Sequence, residues 1–206
     1  MQNHCQSATM CALFKTPTDI EQRRFWQIVQ MHDELMQIMQ SLQQLDASSY
    51  VAAGALRHVI WAHLHAVPYH LAGTEVDVIF FDQTDINDHR AAALKQALDQ
   101  QFPHIQWDVT NQATVHHWYR TEKNECIAPL QSIVEALSFW PETATALALR
   151  LDQQQGFELI APFGVQDLFE LKLRWNPNLV SYKIFEQRYL EKRFFEKWPK
   201  LQLMLD

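Results

Sequence analysis

The sequence predicts an α+β fold in which a mixed β-sheet is flanked by helices, with further helices at both ends of the chain. Segments with the apolar spacing of helices alternate with short runs rich in β-branched and aromatic residues. Apolar residues make up 48% of the 206 residues and charged residues 20%, which is enough apolar material for a core and too little charge for disorder. We therefore expect one compact unit.

Charge and cysteine content limit the possible partners and the compartment. The formal net charge of -7 disfavours nonspecific binding to a nucleic-acid backbone. The three cysteines, Cys5, Cys11 and Cys126, show no CxxC spacing, which favours reduced thiols. No signal peptide and no apolar run of about 18 to 20 residues is present. These features predict a cytoplasmic protein without a membrane partner.

The first element is a helix predicted over residues 17–45, with Thr18 as its N-cap and an interruption near His32. Its apolar side chains recur at helical spacing. They are Phe25, Ile28, Val29, Leu35, Ile38, Met39 and Leu42. We expect residues 1–48 to form an N-terminal helical segment and residues 49–206 to form the main domain.

The next elements alternate between helix and strand. SSYVAAGALRHVIWAHLHAV predicts a helix with Gly54 near its start, because Leu56, Val59, Ile60 and Leu64 form one apolar face. The run VDVIFF predicts a largely buried strand over residues 75–81. INDHRAAALKQALDQQF then predicts a helix, and HIQWDVTNQ predicts a second strand.

The remaining chain predicts shorter elements. We expect a helix over residues 130–139 and a strand pair over residues 144–150 and 158–160, with Gly156 at the turn. A short helix or strand follows Gly164. A final helix is predicted over residues 183–197.

Three carboxylates indicate a cation site. Successive strand residues face opposite sides, so Glu75 and Asp77 project from the same face of their strand. Asp108, on a neighbouring strand, is a candidate third ligand. Carboxylate oxygens are the ligands that Mg²⁺ prefers, with waters and substrate phosphates completing its shell. The alternative is that these acids are merely solvated at strand ends.

Candidate phosphate-binding groups lie on two helices. Gly54, beside a helix start, would let phosphate oxygens approach backbone amides, and Arg57 would reach a phosphate from one turn further on. The alternative is a helix-entry glycine and a surface arginine. In the C-terminal helix, Arg188 and Lys192 are four residues apart and can face one anion. The alternative there is an amphipathic helix with solvated cations.

Six blocks in order resemble a bacterial nucleotidyltransferase family of unassigned substrate, related to the polymerase-beta-type nucleotidyltransferase superfamily. The resemblance covers about residues 50–201. The blocks are VAAGALRHVIWAHLH, EVDVIFFD, WDVTNQATVHHW, WPETATALALRL, APFGVQDLF and RYLEK with KWPKL.

The resemblance implies roles for particular residues. It places the family's metal-binding acids on Glu75, Asp77 and Asp108, and its glycine-helix phosphate element on Gly54 and Arg57. Other positions match without an implied role, namely Asn111, Gln112, Thr143, Thr145, Gly164 and Asp167. Departures from the pattern occur at Ala55, His58, Ala62 and Gln166, and at Glu75, where the superfamily usually has Asp.

The activity implied by the resemblance is Mg²⁺-dependent transfer of a nucleoside monophosphate from an NTP to a hydroxyl acceptor. The acceptor is either a small molecule or a macromolecule. The departures keep open a catalytically silent nucleotide-binding module on the same fold. A metal phosphohydrolase that uses water as the nucleophile is a further alternative.

Overall fold

The structure is a computed structural model that describes residues 15–154 and 156–205. The helices in this part of the chain are α1 (Asp19–Val29), α2 (Asp33–Leu45), α3 (Ala53–His65), α4 (His89–Gln101), α5 (Val115–Trp118), α6 (Ile133–Ser138), α7 (Gln166–Phe169), α8 (Tyr182–Glu191) and α9 (Phe194–Lys197). The strands are β1 (Tyr50–Ala52), β2 (Glu75–Phe80), β3 (Gln106–Asn111), β4 (Ala148–Leu151), β5 (Phe157–Ile160), β6 (Lys172–Arg174) and β7 (Gln202–Met204).

The main sheet is mixed, as the sequence predicts. Its strand order is β3-β2-β1-β4-β5. Strands β2 and β3 are parallel, because α4 carries the chain back between them, whereas β1 is antiparallel to both β2 and β4, and β4 is antiparallel to β5. Strands β6 and β7 form a separate parallel pair. The predicted α+β class with helices at both ends is confirmed.

The two faces of the sheet have different environments. On one face, Val51, Val76 and Val78 belong to the main core, together with apolar side chains of α1 to α4. On the other face, Tyr50 and Ile79 belong to a smaller apolar cluster with side chains of α6. Because strand residues alternate, Asp77 lies on the same face as Ile79. The acids therefore point away from the main core.

The N-terminal helices follow the predicted pattern. Thr18 caps α1 in a capping box with Glu21. The predicted interruption is confirmed, since α1 ends at Val29 and the ring of His32 accepts a hydrogen bond from the Leu35 amide at the start of α2. The predicted apolar side chains of both helices are buried in the same main core as those of the sheet. The boundary between residues 48 and 49 therefore stays a prediction.

Two predicted elements are wrong in detail, and one strand was not predicted. Residues 50–52 form that strand. Helix α3 begins at Ala53, whose φ of 51° makes an abrupt turn, so Gly54 lies near the helix start as predicted. Residues 143–145 form a 3₁₀ turn ahead of β4. The final helix is broken because Arg193 has a φ of 54°, which separates α8 from α9. After Gly164, α7 and β6 are both present.

Two features bear on the compartment predictions. None of the helices in residues 15–154 and 156–205 combines the length and apolar character that crossing a membrane requires. Cys126 is exposed with a free thiol, whereas Cys5 and Cys11 lie outside the described residues.

Candidate functional site

The three predicted acids line a common cavity. In the parallel register of β2 and β3, Asp77 lies directly opposite Asp108, and Glu75 precedes Asp77 by two residues on the same face. All three side chains line a cavity of about 610 Å³. Glu75 and Asp108 are exposed, whereas Asp77 is half-buried. The structure thus brings the predicted carboxylates to one wall of one cavity.

Asp77 occupies the most unfavourable position for a negative charge. Burial, followed by the charges of Glu75 and Asp108, raises the pKa of Asp77 to about 6. Arg188 and Lys192 act in the opposite direction. Because like charges and loss of hydration both disfavour its ionised form, a bound cation would relieve this repulsion.

Whether a divalent cation fits the site depends on the carboxylate oxygens of Glu75, Asp77 and Asp108. Among the described residues, no group of three or more His, Cys, Asp or Glu side chains is arranged to hold a metal ion by itself. Mg²⁺ commonly uses one or two carboxylates together with waters and substrate phosphates. The facing carboxylates of Asp77 and Asp108 suit that kind of site, in which the substrate supplies the remaining oxygens.

Gly54 and Arg57 lie beside the acids at the start of α3. The N-cap residue Ala52 makes no side-chain capping bond, so no side chain caps the first turn of the helix. A Cβ atom added at Gly54 would lie 3.9 Å from Nη2 of Arg57 and 4.0 Å from Oδ2 of Asp77. The glycine therefore leaves open the space between a guanidinium and a carboxylate.

Arg57 is not the surface arginine that one alternative anticipates. It is only 1% exposed, yet it lines the cavity. Its Nη1 donates to Oγ1 of Thr145 (2.6 Å), and its Nη2 donates to Nε2 of His58 (2.8 Å). Burial lowers the pKa of Arg57 to about 10, and the guanidinium remains charged at neutral pH.

His58 supports Arg57 as a neutral ring. Burial, followed by the charge of Arg57, lowers the pKa of His58 well below its ordinary value. Since Nε2 accepts from Arg57, the proton lies on Nδ1, which is 3.0 Å from the hydroxyl of Tyr69. His58 thus holds Arg57 in place.

Glu142 is the site residue that sequence reasoning missed. It is completely buried, its Oε1 accepts a hydrogen bond from Nε of Arg188 (2.6 Å), and its Oε2 lies 3.8 Å from Nη1 of Arg57. Glu142 thereby joins cations from α3 and α8. An acid inside the block WPETATALALRL was the available signal, but its partners are distant in sequence.

The predicted C-terminal cations line the same cavity as the acids. Arg188 and Lys192 both line the cavity, Arg188 in α8 and Lys192 at its C-cap. Loss of hydration, followed by the charges of Arg188 and Arg57, lowers the pKa of Lys192. Arg57, Arg188 and Lys192 therefore all contribute positive charge to the cavity that the acids line.

Other positions matched by the resemblance make structural bonds. Asn111 accepts from the amide of Asp82 and donates to its carbonyl. Thr143 donates to Asp167 (2.8 Å), which also accepts from Arg174. These contacts hold loops in place outside the carboxylate wall.

Comparison with known proteins identifies relatives of this fold. A family model described as nucleotidyltransferase matches residues 38–203. A protein whose NMR structure reveals a CCA-adding enzyme head domain is 30% identical, with a TM-score of 0.72, and the match covers 87% of this chain and 95% of that one. No curated protein matches the sequence.

Two larger structures share the fold at lower identity. One is a CCA-adding enzyme in complex with CTP (16% identity, TM-score 0.56), and the match covers 88% of this chain. The other is a Thermotoga maritima CCA-adding enzyme complexed with tRNA (15% identity, TM-score 0.55), for which the match covers 89% of this chain. In both cases the matched region spans only 42% of the larger chain.

Proposed function

Because the chain belongs to the nucleotidyltransferase family, we propose that it transfers a nucleoside monophosphate from an NTP to a hydroxyl acceptor. The observation that carries this proposal is that Asp77, paired with Asp108 in the sheet, lines one cavity together with Arg57, Arg188 and Lys192. Carboxylates and cations that line the same cavity suit a magnesium-bound triphosphate.

The cations that line the larger cavity would bind the triphosphate. Arg188 and Lys192 reach the cavity from α8, and Arg57 reaches it from α3. Gly54 leaves room for a phosphate oxygen near the first turn of α3, where backbone amides and the helix dipole favour negative charge. Tyr69 lines the same cavity and is partly exposed, so its ring offers aromatic surface for a nucleobase.

The carboxylate wall would organise the reaction. Glu75, Asp77 and Asp108, together with the substrate phosphates, would hold Mg²⁺, which would supply neutralisation of negative charge at the reacting phosphate. The acceptor oxygen forms a bond to the α-phosphorus while the bond from that phosphorus to the bridging oxygen breaks. Asp108 accepts the hydroxyl proton, and pyrophosphate leaves.

One alternative has a specific observation in its favour. Both Nη atoms of Arg57 are already hydrogen-bonded within the protein, and Glu75 replaces the shorter Asp that is usual in the superfamily. A shift of about 1 Å in a catalytic group can cost a hundredfold in rate. Metal-dependent nucleotide binding without pyrophosphate release from any acceptor would identify a catalytically silent module.

Calorimetric titration of a nonhydrolysable NTP, with and without Mg²⁺, tests the proposed site. We expect Mg²⁺-dependent binding to the wild type and a loss of affinity of about tenfold or more in Asp77→Asn, because a charged ligand is removed. Asp99→Asn is the matched control, since Asp99 is an exposed acid on α4 paired with Lys95. Equal affinities for Asp77→Asn and the wild type would refute the assignment.

A further inference from the structure

A second cavity adjoins the same two carboxylates. Its volume is about 240 Å³, and Asp77 and Asp108 line both this cavity and the larger one. The acids therefore stand between two chambers. We call the second chamber the apolar cavity; its floor is Ile79 and Thr110, and its walls include Trp118, Leu130, Trp140 and Val180.

Strand geometry explains why both chambers meet at the acids. Asp77 and Ile79 face one side of β2, and Asp108 and Thr110 face the same side of β3. The first member of each pair is acidic and the second forms the floor of the apolar cavity. Oγ1 of Thr110 donates to Oδ1 of Asp108 (2.9 Å), so the floor residue also orients the carboxylate.

The two chambers differ in charge. The larger cavity contains Arg57, Arg188 and Lys192, whereas none of the residues described as lining the apolar cavity is Lys, Arg or His. Apart from the two acids, Thr110 and Gln112, its lining is apolar or aromatic. An anionic or strongly polar group placed there would lose hydration without a compensating partner, which is unfavourable.

We propose that the apolar cavity is the acceptor subsite and that the acceptor is a small, uncharged alcohol with an apolar or aromatic body. This inference rests on the proposed function, because it assigns the triphosphate to the larger cavity. The body of the alcohol packs among the aromatic walls, and its hydroxyl lies at Asp108.

The reaction follows from that arrangement. The alcohol oxygen attacks the α-phosphorus of an NTP held on the other side of Asp77 and Asp108, and the hydroxyl proton passes to Asp108. Pyrophosphate leaves into the larger cavity. The product is a nucleoside monophosphate ester of the alcohol, so the reaction that follows must use or remove a nucleotidylated apolar alcohol.

Binding of 2-phenylethanol, followed by ligand-observed NMR, tests the subsite without requiring turnover. We expect saturable binding to the wild type and a loss of about tenfold or more in Trp118→Glu, because this change replaces an aromatic wall with a charge. The matched control is Leu190→Glu, since Leu190 is 61% exposed and Trp118 is 58% exposed. The control should bind as the wild type does.

Pyrophosphate release with a mixture of the four NTPs then compares acceptors. We expect 2-phenylethanol to stimulate release more than glycerol or tRNA, and Trp118→Glu to lose that stimulation while its affinity for a nonhydrolysable NTP is unchanged. Stimulation by tRNA or glycerol alone would overturn the proposal, as would weaker NTP binding in Trp118→Glu.

The two proposals fail in different ways. If the wild type binds the NTP but not 2-phenylethanol, the acceptor class is wrong and the nucleotidyltransferase proposal stands. If the NTP itself does not bind, the proposed function fails. If the alcohol binds and the NTP binds without any pyrophosphate release, the acceptor role of the cavity is refuted.

Discussion

Asp77 is the residue at which the requirements of the proposed site oppose those of stability. Its pKa is about 6 in the folded protein, against an ordinary value of 3.8. Because the folded state binds this proton more tightly than the unfolded state, ionisation of Asp77 costs stability as the pH rises from 3.8 through 6. The cost is then fully present at neutral and alkaline pH.

Asp77→Asn should therefore stabilise the protein in a pH-dependent way. We expect its free energy of unfolding to exceed that of the wild type by about 1 to 2 kcal/mol near pH 8, and the difference to vanish near pH 4. Urea unfolding of both proteins at the two pH values measures this. A variant that is less stable than the wild type near pH 8 would contradict the account of the raised pKa.

Glu142 gives the second prediction at this scale. Replacing it with Gln leaves the buried cation of Arg57 and the partly buried cation of Arg188 without their shared acid. We expect Glu142→Gln to lower the free energy of unfolding by about 3 kcal/mol.

The control for Glu142→Gln is Glu158→Gln, because Glu158 is 43% exposed and pairs with Arg150 at the surface. Its loss should cost less than about 1 kcal/mol. Urea denaturation compares the two variants. Similar losses of stability would show that Glu142 does not have the role we assign to it.

The sequence predicted the carboxylates of Glu75, Asp77 and Asp108 but not Glu142, which contacts Arg57 and Arg188. Alternation along one strand is enough to place Glu75 and Asp77 on a common face. The contacts of Glu142 join side chains from α3 and α8, far apart in sequence, so no local pattern encodes them. For the same reason, the burial of Arg57 could not be predicted from its position on a helix.

At the scale of elements, the junction between β1 and α3 positions the candidate phosphate site. Ala53 adopts a φ of 51°, which is costly for a residue with a side chain and turns the chain directly from strand to helix. The turn brings Gly54 beside Asp77 and Arg57. This junction therefore sets where Gly54 lies relative to the candidate phosphate site.

The substitution Gly54→Ala should change NTP affinity without lowering the stability of the fold. The new Cβ would make only ordinary contacts, so we expect the free energy of unfolding to remain equal or to rise by about 0.5 kcal/mol. It would occupy the space between Arg57 and Asp77, and we expect NTP affinity to fall about tenfold. Thermal unfolding and calorimetry measure the two effects. Undiminished NTP affinity would exclude this space as a phosphate site.

Element types were predictable where periodicity was strong. The patterns of α1, α2 and α4, and those of β2 and β3, identify the correct elements. Strand β1 was missed because its short apolar run continues directly into the apolar face of α3. The break between α8 and α9 was missed because it depends on the positive φ of Arg193. A glycine at that position would have indicated a positive φ, whereas an arginine does not.

At the scale of the whole molecule, a net charge of -7 is combined with a cavity that Arg57, Arg188 and Lys192 line. Such a field disfavours a long polyanion, while the local cations would still accept a compact, magnesium-neutralised triphosphate. We therefore expect no saturable binding of tRNA in a filter-binding assay at an ionic strength of about 0.15 M. The NTP should bind under the same conditions. Tight tRNA binding would contradict this view and favour an RNA acceptor.

The mixed sheet was predictable from the order of strand and helix patterns, but its register was not. The alignment of Asp77 with Asp108 depends on where α4 ends and how β3 docks on β2, which are properties of packing. The cavities likewise need side chains that are distant in sequence from the strands, Arg188 of α8 for the larger one and Ala136 of α6 for the apolar cavity. The sequence therefore supplies the chemistry of the site, whereas tertiary structure supplies its geometry.

The most direct measurement is a crystal structure with a nonhydrolysable NTP and Mn²⁺, in which anomalous scattering locates the metal. We expect a metal about 2.1 Å from oxygens of Asp77 and of Glu75 or Asp108, with the triphosphate extending towards Arg188 and Lys192. A nucleotide bound away from these carboxylates, or a metal coordinated elsewhere, would contradict the account.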